Sequence, residues 1–361
     1  MLKDSEKEFL SLIRDLIASP VFCINTFSSV IETIRHCVSE HLWSLVMEAG
    51  LLDELTNLKA IFLLGRGELY QAFIHTATPR LNHSIIIRSS YVHSLLKAAG
   101  RQVLLDDILE KFSMYLQVAD SSIGSTEDRS NVWNNLRIHY NAKWPLHKLF
   151  GQSQQEKYNK VFVFLLNVRR AQYRLQNLWL VQMQTKKIGS SKAMTLLWTI
   201  RHHMTLLIDN LQYYLQVDVL ESQYWQLISE ISKTRDYQHL ATAHHNFLIS
   251  LHTQCFLNHP FIYATLSSLL TQVHDFCQFM ETGVKWDQLH MLSTESFLKK
   301  VNKINEDFDG VSRRLFDILS SLKQMQGTQY TSQLVMRIDF NKYYSINKSN
   351  MKFLSPLEQQ Q

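Results

Sequence analysis

Towards the C-terminus, Phe297, Val301, Ile304, Phe308, Val311, Leu315, Ile318, Leu322 and Met325 follow one another at spacings of four and three residues in strict alternation. Only an α-helix brings residues spaced in this way to one face, and so regular a seam must lie along a nearly aligned neighbour. The neighbour is either a second copy in a free coiled coil or other helices of the same chain. An antiparallel bundle within the chain is favoured, because several similar stretches precede the seam and Gly310 interrupts it.

The same period runs through most of the chain. Residues 25–50 place Ile31, Ile34, Val38, Leu42 and Leu45 on one face and stop at Gly50. Residues 51–76 carry Leu51, Leu55, Leu58 and Phe62, then a Gly-Arg-Gly step at 65–67. Residues 86–117 read as a further helical run that Gly100 splits. Residues 154–186, 193–232, 237–258 and 261–281 read as long helices, with a polar turn, KKIGSSK, at 186–192. Breakers are scarce to match. Ten Gly and five Pro among 361 residues make about 4% of the chain, against roughly 12% on average. Too few remain to punctuate a β-sandwich or a mixed α/β enzyme. The expected class is therefore all-α, an elongated stack of helical bundles. Two interruptions are expected: a loop at 118–131 (VADSSIGSTEDRSN), and a short strand or extended arm at 132–140, where Leu136, Ile138 and Tyr140 alternate with polar residues.

A net charge of +5 with scattered Lys and Arg lacks the basic stripe of a nucleic-acid binder. No apolar run approaches the ~18 residues of a membrane span, and MLKDSEKEFL has no signal-peptide core. Cys23, Cys37, Cys255 and Cys277 are widely spaced and read as reduced, buried thiols. The chain is thus expected to be soluble and intracellular.

The search for chemistry is largely negative. LLGRGEL at 63–69 has Tyr70 where a dinucleotide fingerprint needs glycine, and GSSKAM at 189–194 lacks the second glycine of a phosphate loop. The pairs His202–His203 and His244–His245 point about 100° apart on a helix and make no two-ligand face. His252, Cys255 and His259 share a helical face, where a metal is the sharper reading and satisfied core residues the favoured one. Neither catalysis nor a cofactor is expected. Aromatic residues beside charges are the other signal. The segments KWPLHKLF (143–150) and 337–344 fit no helical stripe and are the better candidates for an interface.

Five segments carry a resemblance: VSEHLWSLVMEAGLLDELTNLKAIFLLGRGELYQAFI (38–74), YNAKWPLHKLF (140–150), KYNKVFVFLLNVRRAQYRLQNLW (157–179), NLQYYLQVDVLES (210–222) and IDFNKYYS (338–345). In order and spacing they resemble the gamma-tubulin complex components, over roughly residues 30–345. The resemblance implies a helical scaffold without catalytic activity. In that family an N-terminal region makes lateral contacts with other gamma-tubulin complex components, and a C-terminal region binds gamma-tubulin. The assembled ring nucleates microtubules at centrosomes and spindle poles. A full component would carry a further N-terminal half, so the resemblance implies the gamma-tubulin-binding half here. Residues 1–58 would then end a preceding bundle, 59–345 would form the gamma-tubulin-binding domain, and 346–361 a flexible tail.

Candidate contacts are polar or aromatic positions in or beside the matched motifs: Arg66, Glu68, Lys143, Trp144, Arg169, Arg170, Gln212, Tyr213, Asp218, Arg337, Asp339, Lys342 and Tyr343. For each, a role inside the bundle competes; Arg169 and Arg170 can pair internally, and Trp144 can be core. The alternative function is a generic helical tether or adaptor, which needs only long amphipathic helices.

Overall fold

The computed structural model describes residues 3–83, 88–117, 132–185, 192–282, 295–326 and 329–346. The loop expected at 118–131 lies outside them, as do the turn at 186–191 and the tail beyond 346. The chain begins with α1 (Lys3–Ala18), α2 (Ile24–Glu48), α3 (Leu51–Phe62) and α4 (Gly67–His83). Gly50 sits at φ 80° and ends α2, its N–H closing on the Met47 carbonyl. Gly65 follows α3 so closely that a Cβ would stand 3.1 Å from the Lys59 carbonyl, which explains one glycine of LLGRGEL. Cys23, expected to be buried, is exposed beside the start of α2, whereas Cys255 and Cys277 are buried.

The run read as helix at 86–117 is corrected. It divides into α5 (Ser89–Gln102), the single turn α6 (Asp106–Leu109) and strand β1 (Phe112–Leu116). Leu104 takes φ 57° and the Leu105 N–H bonds back to the Gly100 carbonyl, a left-handed closure that ends α5. Strand β1 pairs antiparallel with β2 (Leu136–Tyr140), placing Phe112 opposite Tyr140, Met114 opposite Ile138 and Leu116 opposite Leu136. These six side chains face the core. The strand expected near 132–140 is thus present, with a partner the sequence reading had assigned to a helix.

Both margins of this ribbon are sealed by side chains. The Gln155 amide accepts from the Tyr140 N–H at 3.1 Å and donates to its carbonyl at 3.0 Å. Asn159 treats Ile138 in the same way, at 2.7 and 2.8 Å. Four residues of helix rise about 6 Å, and two residues of strand about 6.8 Å, so the two amides match the strand's outward groups. On the other margin, the Leu116 N–H donates to Ser89 Oγ at 3.1 Å and the Met114 N–H to His93 Nδ1 at 3.4 Å.

The spine is α7 (Gln152–Thr185), about 50 Å long at 1.5 Å per residue. Around it and after it come α8 (Lys192–Tyr213), a π-helical stretch (Tyr214–Glu221), α9 (Ser222–Lys233), α10 (Tyr237–Gln254), α11 (Pro260–Thr282), α12 (Glu295–Gln326) and α13 (Gln329–Ile338). Hydrogen bonds join Arg201 to Gln182 and Gln172 to Asp209, so α7 and α8 run antiparallel. Gln272 meets Asp307 while Phe279 stacks on Phe297, so α11 and α12 do the same. The heptad seam lies on α12. Val301, Phe308 and Leu315 are buried, and the helix packs against α11, α13 and α8 of its own chain. This is the bundle reading. No helix among the described residues is long and apolar enough to cross a membrane.

Candidate functional site

The last helix brings three of the expected residues together. The run read as one helix over 193–232 widens into π geometry at Tyr214–Glu221, and this rotates Asp218 towards α13. Arg337, one residue before the end of α13, donates from Nε and Nη2 to the two Asp218 oxygens at 2.6 and 2.8 Å. Its guanidinium also lies 4.3 Å from the centre of the Tyr213 ring. Hydrogen bonding to Asp218 raises the Arg337 pKa.

Beyond Ile338 the chain folds into a hook. The Asp339 carboxylate accepts from the Tyr344 N–H at 2.9 Å and from Ser345 Oγ, closing the turn on itself. Lys342 adopts φ 58° and points to solvent. Tyr344 is buried against Phe316, ring centres 5.4 Å apart, and its hydroxyl meets His203 Nε2 at 3.0 Å. Anchored in this way, the hook exposes Phe340 (77%) and part of Tyr343. Tyr213, which touches Arg337, and Val217 and Met336, next to the pair in the chain, are exposed as well, as is Ile346 at the end of the hook. Exposed aromatic and apolar groups near a bidentate ion pair have the composition of a binding hot spot.

The other expected residues lie elsewhere. Arg66 and Glu68 are exposed at the turn between α3 and α4. Lys143 and Trp144 are exposed ahead of α7, while Leu146, Leu149 and Phe150 of the same motif are core. Gln212 is half-buried beside Tyr213. Arg169 is half-buried and donates to Gln172, which donates to Asp209 at 2.7 Å. Arg170 is interior, its guanidinium 4.6 Å from the Trp133 ring centre. Burial and then the neighbouring Arg174 push its pKa down to about 9.

Three groups on this end escaped the sequence reading. Phe340 lies in the segment 337–344 expected to form an interface but is not among the individual contacts, and the end of α13 at Ile338 leaves it exposed. His203 and Asp309 approach to 3.2 Å from different helices, which no local spacing reveals. Of the proposed metal face, His252 bonds the Lys157 carbonyl at 3.0 Å and Cys255 is fully buried. Among the described residues no group of His, Cys, Asp or Glu has the makings of a metal site.

Residues 51–344 match the gamma-tubulin complex component C-terminal family. The chain is 37% identical to mouse gamma-tubulin complex component 4 over 364 residues, covering 96% of this chain and 54% of that protein. Its identity to the human component 4 is 36%, with the same coverage of each. It is also 22% identical to spindle pole body component 98 of Dictyostelium discoideum, covering 89% of this chain and 42% of that protein. The chain thus spans about half the length of the curated relatives it matches.

Proposed function

From the premise that this chain belongs to the gamma-tubulin complex component family, which the matched region and the component 4 relatives establish, we propose that it binds gamma-tubulin through the face around Arg337. In this reading it is a non-catalytic scaffold of a gamma-tubulin ring complex. It works with other gamma-tubulin complex components at cytoplasmic microtubule-organising centres, the centrosome and spindle pole. Its contribution is geometric. Holding gamma-tubulin at one orientation and pitch removes entropy that a microtubule nucleus would otherwise lose on assembly.

The observation that carries the reading is that Tyr213, Val217 and Met336 are exposed beside the Arg337–Asp218 pair, and Phe340, Tyr343 and Ile346 are exposed on the hook that follows Arg337. Of the thirteen candidate contacts we retain Tyr213, Asp218, Arg337, Asp339, Lys342 and Tyr343 as this face. The binding unit is drawn from residue 51, where the family match begins. Helix α3 crosses residues 58 and 59, so a boundary there would cut it.

The test is binding of purified gamma-tubulin to the folded chain at micromolar concentration. Saturable binding that weakens on Phe340→Ala supports the reading. A folded chain that does not bind, or binds equally well as the variant, rules it out.

A further inference from the structure

Behind the hook lies a cavity of about 280 Å³, between α8, α12 and residues 338–344. Its apolar lining is Leu206, Leu207 and Ile338, and Tyr343 contributes an aromatic ring. Polar side chains interleave with them: Asn210 follows Leu207 on the same helix, Asn305 and Asp309 come from α12, Asn341 from the hook, and His202 and His203 also line the cavity. No lysine or arginine lines it. Asn210 and Asn305 commit their amides to no other described residue.

Asp309 is the deciding group. Its Oδ1 is shielded from solvent and has no well-aligned hydrogen bond, although His203 Nδ1 stands 3.2 Å away. Burial lowers the His203 pKa, and the neighbouring Asp309 opposes that shift. Arg313, one turn along α12, does not line the cavity. The lining thus combines a carboxylate and two uncommitted amides, Asn210 and Asn305, with apolar side chains and an aromatic ring. The Asp309 side chain is 22% exposed and beside His203, so a cation donating several N–H groups can add charge-assisted hydrogen bonds to it from the cavity.

We propose that this cavity receives a guanidinium group on an apolar stem. The planar fork would meet Asp309 and the amide oxygens of Asn210 and Asn305, the stem would lie on Leu206, Leu207 and Ile338, and the Tyr343 ring would add a cation–π contact. The group belongs either to a docked protein's arginine or to a free small molecule. The inference stands on the cavity itself and does not require that gamma-tubulin be the partner.

The probe is N-acetyl-arginine N′-methylamide, titrated into the full chain and followed through the methyl resonances of Leu206, Leu207 and Ile338. Saturable shifts are expected, with the uncharged citrulline analogue at least about tenfold weaker, the loss of a charge-assisted contact. Asn305→Leu, which removes one amide from the cavity without touching the His203–Asp309 pair, should weaken the shifts with the fold intact. Asp309→Asn should weaken the arginine probe towards the citrulline value. Absent shifts, or equal affinity for the two probes, overturn the proposal, as does unchanged probe binding by Asn305→Leu. Gamma-tubulin then separates the sources. If Asn305→Leu weakens gamma-tubulin binding in step with the probe, the guanidinium is a protein side chain. If gamma-tubulin binding is unchanged while probe binding weakens, it is a free ligand. A wild-type chain that fails to bind gamma-tubulin would sink the preceding reading and leave the probe result standing.

Discussion

Arg337 and Asp218, 119 positions apart, meet in a two-pronged ion pair that ties the last helix to the π-helical stretch. Asp218 is the more sheltered partner, with its side chain 12% exposed against 33% for Arg337. Replacing Arg337 by Met should leave that carboxylate short of donors. The expected loss of stability is about 1–2 kcal/mol, kept modest by the solvent that reaches the arginine. Arg337→Lys should recover only part of it, since an ammonium cannot fork. Urea denaturation of the three proteins checks both statements.

Phe340 contacts little within the chain, so its removal should separate binding from folding. Phe340→Ala should shift stability by no more than about 0.5 kcal/mol. It should weaken gamma-tubulin binding by about 2 kcal/mol, roughly thirtyfold in Kd. Titration calorimetry and a thermal melt on the same sample read the two effects.

Asn159 makes three hydrogen bonds from a buried position, two of them to Ile138 of β2. Asn159→Leu keeps the volume and strands the N–H and C=O of Ile138. A loss of about 2–3 kcal/mol is expected, with the denaturant slope unchanged because the fold remains.

Acid should destabilise the chain through its histidines. His244 is buried, bonded to the Tyr158 hydroxyl at 2.9 Å, and packed edge-on against Phe150. Burial first, then His245 and Lys157, lower its pKa to about 3. Burial also lowers His93, His203, His252 and His274. The unfolded chain binds protons at these rings from about pH 6.5 downwards, while the folded chain resists. Stability is therefore full above pH 6.5 and falls as the pH drops towards the folded values. For His244 alone the loss by pH 5 is about 2 kcal/mol. His244→Gln should flatten the fall in Tm between pH 7 and 5, and an unchanged slope would assign the effect to other groups.

Helices declared themselves in the sequence because their signal is long. The alternation from Phe297 to Met325 runs over most of α12, and from Phe297 to Leu322 each of its residues is buried or half-buried. Strand β1 was missed because its evidence is five residues, Phe112 to Leu116, directly after apolar positions that continue a helical period. Nothing local marks Leu104 as the residue that turns left-handed. The π-helical widening at Tyr214–Glu221 is likewise invisible, since its residues suit an ordinary helix. At the site, motif resemblance led to Tyr213, Asp218 and Arg337, but their meeting depends on which faces of α8 and α13 touch. Arg170 shows the reverse: its charge suggested a surface, and the Trp133 ring it rests on places it inside.

The sealed ribbon bears on how such a chain behaves in company. An uncovered strand is a template, able to recruit any extended segment, including the same strand of another copy. Here an incoming strand would first have to displace the amides of Gln155 and Asn159 on one side, or Ser89 and His93 on the other. Copies can be crowded side by side without their sheets growing into one another. Contacts between neighbours are left to side chains, where each partner can be chosen or refused one residue at a time.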